Sequence, residues 1–100
     1  MILVTQLLYL VAGKEREFDE FENMAIPLIQ KYRGRLLLRI RPTQESVVDH
    51  GIPIPYEVHL IEFRTDEDFR LFLGDDDRKN YLHLKQQSVS EAVLIQGARL

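Results

Sequence analysis

The sequence predicts an α+β fold of the ferredoxin-like kind, ordered β-α-β-β-α-β, with a four-stranded antiparallel sheet and helices on one face. Three observations lead there. An apolar run opens the chain from Met1 to Ala12, two stretches carry helical apolar stripes, and three further stretches run at strand length. At 100 residues the chain makes a single domain, residues 1–100, because a second core would find too little chain to build it.

The opening run contains β-branched and aromatic residues and is broken by Gly13, so Ile2 to Val11 is read as a strand buried on both faces. Lys14 to Arg33 carries Phe18, Phe21, Ala25, Leu28, Ile29 and Tyr32 on one helical face, while Glu15, Glu20, Glu22 and Lys31 are assigned to the other side. Pro27 removes a backbone donor within that helix, so a kink is expected, and Gly34 is expected to stop it in the left-handed conformation. Arg35 to Arg41 alternates as a second strand, and Pro42, Gly51, Pro53 and Pro55 make residues 42–55 a loop. A third strand is expected from Tyr56 to Phe63. Thr65 with Asp68 makes a capping box for a helix bearing Phe69, Phe72 and Leu73. Gly74 interrupts it, Asp75-Asp76-Asp77 restarts it, and Tyr81, Leu84 and Ser88 continue its inner face. Glu91 to Gln96 forms the last strand, and the expected sheet order is 4-1-3-2.

Strand alternation sorts the apolar side chains into two sets. One holds Leu3, Leu7, Tyr9, Leu36, Leu38, Ile40, Val58, Leu60, Val93 and Ile95, and the helices are expected over it. The other holds Ile2, Val4, Leu8, Leu37, Ile61, Phe63 and Leu94, too many for an open face of a monomer. A second copy of the sheet is the cheapest cover, so a homodimer is expected.

Composition excludes several classes. Hydrophobic residues are 45% and charged residues 29%, which argues against disorder. The 13 Lys and Arg against 16 Asp and Glu give a net charge of −3, with no basic field to gather nucleic acid or anionic lipid. There is no cysteine, hence no disulfide, thiolate nucleophile or Cys-type metal site. No stretch reaches the ~18–20 apolar residues of a membrane span, and the opening run lacks a cationic lead and a cleavage site. No membrane partner is expected, and the cytoplasm is the expected location.

Pro27, the run Lys31-Tyr32-Arg33-Gly34-Arg35-Leu36-Leu37 with Arg39, Ile61-Glu62-Phe63, Tyr81 and Leu94-Ile95-Gln96-Gly97 together resemble the dimeric α/β-barrel superfamily, and within it the domain of unknown function 1330 family. Arg33 stands where that family commonly has a second Gly, and Asp77-Arg78-Lys79-Asn80 before Tyr81 also departs from it. The resemblance implies two sheets closing into one barrel. It also implies a choice among cofactor-independent monooxygenases, haem degraders, lactone isomerases and proteins of no known reaction. The haem-degrading branch typically uses an Asn on the first strand, a Trp, and a His on the second helix. Gln6 and His83 can stand near two of these positions, but the chain has no Trp. No cofactor is expected.

The three histidines, His50, His59 and His83, lie 9 and 24 residues apart, without metal-ligand spacing, and no metal is expected. Alternation places His59 with Glu57, and Arg35, Arg39 and Arg41 on the next strand, with Gln6 beyond. If register permits, Gln6, Arg39, Glu57 and His59 converge. One reading is a proton-transfer pair with a cation to hold an anionic or enolic substrate. The other is an ion-paired strip whose charges satisfy one another. The four arginines Arg33, Arg35, Arg39 and Arg41 suit phosphate or carboxylate, yet no RNA-binding aromatic run accompanies them, and nucleic acid is not expected. Asp75-Asp76-Asp77 lacks EF-hand spacing and is read as helix capping. Tyr9, Tyr81 and His83, with Gln6 and Glu57, are candidate ligand-binding residues; His59 and Arg39 are the candidate catalytic pair.

The reading is therefore a small homodimeric α/β-barrel protein that binds a partly apolar organic molecule between sheet and helices. One alternative is a cofactor-independent monooxygenase or isomerase of aromatic or enolic substrates. The other is a non-catalytic, stress-related assembly module.

Overall fold

The structure, a computed structural model, describes residues 1–100. Strands β1 (Ile2–Leu10), β2 (Arg35–Ile40), β3 (Glu57–Phe63) and β4 (Val89–Gly97) form one sheet of order β2-β3-β1-β4, antiparallel at every pairing. Helices α1 (Glu15–Leu28), α2 (Asp66–Leu73), α3 (Asp76–Asn80) and α4 (Leu82–Ser88) cover one face. This is the ferredoxin-like α+β fold that the sequence predicts, with the expected strand order.

Local chemistry sets the element ends. Pro27 lies in the last turn of α1, and the chain tightens there into a 3-10 turn, Ile29–Tyr32. The left-handed residue that ends this turn is Arg33 (φ 58°), and Gly34 is not left-handed. Gly34 serves another purpose: a Cβ there would stand 2.6 Å from Ile29 Cγ2 and 2.7 Å from Phe63 Cε1. Only a glycine lets β2 begin so close to the core. Thr65 Oγ1 accepts from the Asp68 backbone N–H at 3.1 Å, one of the two hydrogen bonds of the capping box predicted for α2; the reciprocal bond to the Asp68 side chain is not formed. Asp75 caps α3 by accepting from the Arg78 N–H at 3.0 Å, and its second oxygen holds Lys31 and the Tyr32 hydroxyl.

The helices lie over the face that the apolar tally leaves open. Val4, Ile61 and Phe63 pack with Ile29, Phe69 and Phe72, while Leu38, Ile40 and Ile95 on the reverse face remain largely exposed. The crossover from β1 through α1 to the parallel strand β2 is right-handed by steric preference, which fixes the side the helix occupies. The pleat then decides which alternate residues point there, and an apolar tally controls neither. A β-bulge sharpens the difference. Leu36 pairs with Ile61 and Leu38 with the next residue, Leu60, so Leu37 is the extra residue and Leu36 joins the helix face. The open face consequently presents Leu3, Leu7, Tyr9, Leu38, Ile40, Val58, Leu60, Val93 and Ile95.

Glu22 also departs from the reading, which set it away from the core. It is 7% exposed. Spacings of 4, 3 and 4 from Phe18 through Glu22 and Ala25 to Ile29 place it on the buried stripe of α1.

Candidate functional site

Three strands bring four of the nominated side chains together. Gln6 pairs with His59 across β1 and β3, and Arg39 pairs with His59 across β2 and β3. Glu57 and His59, two residues apart on β3, share the same face and are both buried, at 0% and 1% exposure. Gln6, Arg39, Glu57 and His59 thus converge beneath the helices. The bulge separates Arg35, which faces Glu62 on the open side, from Arg39 and Arg41.

Glu57 is the hub. It accepts from Arg39 Nε at 3.0 Å, from Arg41 Nε at 2.9 Å and from His59 Nε2 at 2.5 Å. Burial alone would raise its pKa, but the hydrogen bonds from His59, Arg39 and Arg41 outweigh that and hold it at about 2. An ionised carboxylate only accepts hydrogen bonds, so His59 donates to it from Nε2. Arg41 extends the network to Asp19 on α1 at 2.8 Å. Arg39, Glu57 and Arg41 are therefore mutually satisfied, as the ion-paired reading has them.

A cavity of about 20 Å³ lies next to this network, large enough for one water. Gln6 and His59 reach it from the sheet, Glu22 from α1, Arg78 from α3 and Lys85 from α4, with Phe21, Ile61, Phe69 and Phe72 among the apolar lining. Arg39 and Glu57 do not line it. Burial raises the Glu22 pKa, opposed by His59 and reinforced by Glu57. Burial lowers that of Lys85, and repulsion from Arg78 adds to it. Two further concavities, about 430 Å³ beside Arg33, Arg35 and Arg64 and about 370 Å³ beside Tyr32 and Asp75, are open surface clefts that hold none of these groups.

Besides Arg39 and Glu57, three more nominated residues do not reach the cavity. Tyr9 points from the open face and donates to the Pro53 carbonyl at 2.7 Å. Tyr81 is 46% exposed because α3 ends and α4 begins at it, so the helical phase does not run through. His83 is exposed on α4. Conversely, Glu22, Arg78 and Lys85 belong to the cavity and the sequence reading missed them. The spacing of Glu22 within the apolar stripe was a usable signal. Arg78, inside the polar run Asp75 to Asn80, carried none.

No group of three or more His, Cys, Asp or Glu side chains is placed to hold a metal ion, and no helix is long and apolar enough to cross a membrane.

Fold and site together define a ferredoxin-like α+β protein with a buried acid–base cluster between sheet and helices. Solved structures share this fold. A protein of unknown function from Rhodopseudomonas palustris, RPA0582, superposes with a TM-score of 0.82 at 13% identity, over 99% of this chain and 82% of its own. An uncharacterised NIPSNAP domain protein from Burkholderia xenovorans gives 0.71 at 11% identity, over 100% and 95%. A Nitrosomonas europaea protein provisionally described as an antibiotic biosynthesis monooxygenase gives 0.76 at 11% identity, over 100% and 99%. At such identities the likeness is one of fold. No family model matches the chain, the domain of unknown function 1330 included, and no curated protein matches it.

Proposed function

We propose that the protein is a homodimer, joined sheet to sheet, that binds a small, partly apolar organic molecule in the Glu22–His59 chamber of each copy and moves a proton on it without a cofactor. One observation carries this reading: two carboxylates flank His59, and their surroundings push them in opposite directions, Glu22 up and Glu57 down to about 2. Such divergence separates acid–base roles. Glu57 fixes and polarises the imidazole, while Glu22 and His59 are the groups that face the cavity and exchange a proton with its occupant. The aromatic walls suit an apolar body. Homodimerisation is supported by the open sheet face, whose nine apolar side chains need a cover.

Native mass spectrometry of untagged protein tests both parts. Two chains with an added small mass are expected, and Glu22→Gln should stay dimeric while losing that mass. A lone monomer overturns the dimer. Bare dimer, with no small molecule retained under any condition, overturns the binding reading.

A second reading, an assembly module without chemistry, is favoured by the size of the cavity, which holds one water and no organic molecule until its walls part.

A further inference from the structure

Arg78 is 6% exposed and takes part in no salt bridge. Its guanidinium lies over the rings of Phe21 and Phe72, 5.5 and 5.3 Å from their centroids, and one Nη1 hydrogen goes to the Leu73 carbonyl at 3.2 Å. The buried Nε has no hydrogen-bond partner. Buried cations are ordinarily paired, because an unpaired one is costly to desolvate. Here the side chain is fixed by two aromatic faces and a carbonyl, keeps one donor unused, and is part of the cavity lining. Lys85 adds a second positive group there, again with no salt bridge, against the single carboxylate of Glu22.

We infer that the chamber takes an anion, specifically the carboxylate of a small aromatic or branched acid, received by the Arg78 guanidinium with its apolar body against Phe21, Phe69 and Phe72. The inference rests on the binding reading above and names the substrate class of the same site. A water can satisfy the idle Nε but cannot balance the charge, whereas a carboxylate does both, in the planar geometry that guanidinium favours. Entry requires a wall to move. Helices α3 and α4, of 5 and 7 residues, follow Gly74 and meet at Tyr81. Short helices held mainly by packing are the segments that open at least cost.

The Arg78 Nε–H resonance reports on this in wild-type protein. Titration with benzoate should move it saturably in the millimolar range, benzyl alcohol should bind about tenfold more weakly, and chloride should leave it in place. Arg78→Lys keeps a cation but loses the fork, and should weaken benzoate by a similar factor. Four outcomes overturn the inference: no shift with benzoate, equal binding of benzyl alcohol, an equal shift with chloride, or undiminished benzoate affinity in Arg78→Lys. The wild-type titration stands even if the variant fails to fold. Benzoate binding without proton exchange on any bound carbon acid would overturn only the proton-transfer reading. Binding of the neutral alcohol alone would overturn only the anion.

Discussion

Glu22 of α1 and His59 of β3 border one small cavity from opposite layers, one carried by the helices and the other by the sheet. Neither is a member of the Arg39–Glu57–Arg41 ion pairs, although His59 is hydrogen-bonded to Glu57. The strip on the sheet therefore pairs its charges with one another and with Asp19 of α1, and offers one imidazole edge to the cavity. That division lets the site be probed at Glu22 without dismantling the strip beneath it.

Glu22→Gln should stabilise the fold at neutral pH. Burial raises the folded pKa above the ordinary 4.5, so the folded chain binds this proton more tightly than the unfolded one. The corresponding stability is complete below that ordinary value and is lost as pH rises through the higher folded value. Glutamine removes the buried charge. A gain on the order of 1 kcal/mol at pH 8, about 4–8 °C in Tm, is expected, shrinking toward pH 4. Thermal melts across that range check it, and a loss of stability at pH 8 would contradict it.

Glu57 has the opposite sign. Its folded pKa of about 2 lies below the ordinary 4.5, so its stabilisation is present above 4.5 and disappears as pH falls toward 2. Arg39 and Arg41 are partly solvated, which screens the interaction, and on the order of 2 kcal/mol is expected to be lost over that interval. Glu57→Gln should be destabilised at pH 7 by roughly 3 kcal/mol, since it takes the only carboxylate from Arg39 and leaves Arg41 with Asp19 alone. Its urea midpoint should then fall less than that of the wild type between pH 5 and 3, the remaining decrease coming from Asp75, whose pKa is also depressed.

Arg33 and Gly34 separate two backbone requirements. Arg33→Ala keeps the left-handed strain and loses the 2.8 Å contact with Asp68, whereas Arg33→Gly loses the contact and relieves the strain. The glycine variant should exceed the alanine variant in stability by about 1 kcal/mol. Gly34→Ala forces a Cβ against Ile29 and Phe63 and should cost roughly 2–3 kcal/mol. Urea denaturation of the three variants orders them.

Leu38→Glu tests the open face. Leu38 is 48% exposed within one copy, so the change leaves the fold of the subunit intact and places a charge where a second sheet would lie. Light scattering should show monomers in place of dimers, with an unchanged far-ultraviolet spectrum. A variant that remains dimeric would move the interface elsewhere.

The strand and helix order, the sheet order, the Thr65 cap and the capping role of Asp75 were legible because each is written in local spacing or turn chemistry. The convergence of Gln6, Arg39, Glu57 and His59 was legible as a possibility, since alternation put Glu57 with His59, but it waited on register. What stayed hidden depends on three dimensions. The bulge at Leu37 shifts parity within a run of three leucines, where no polar residue marks the slip. The face beneath the helices depends on crossover handedness rather than apolar count. Arg78 is the one buried residue of the five-residue α3, and nothing in its sequence neighbours distinguishes it from a solvated arginine.

The sheet order also has a consequence for how the chain is made. Strand β1 lies between β3 and β4, yet both partners follow it by tens of residues. At a synthesis rate of about 5–20 residues per second, Leu10 is translated roughly 3–10 s before Phe63. During that interval the most apolar strand has neither neighbour, and both its edges are open to other chains. Dilute refolding of the complete polypeptide removes the wait, so aggregation should be greater during translation than during refolding at the same concentration.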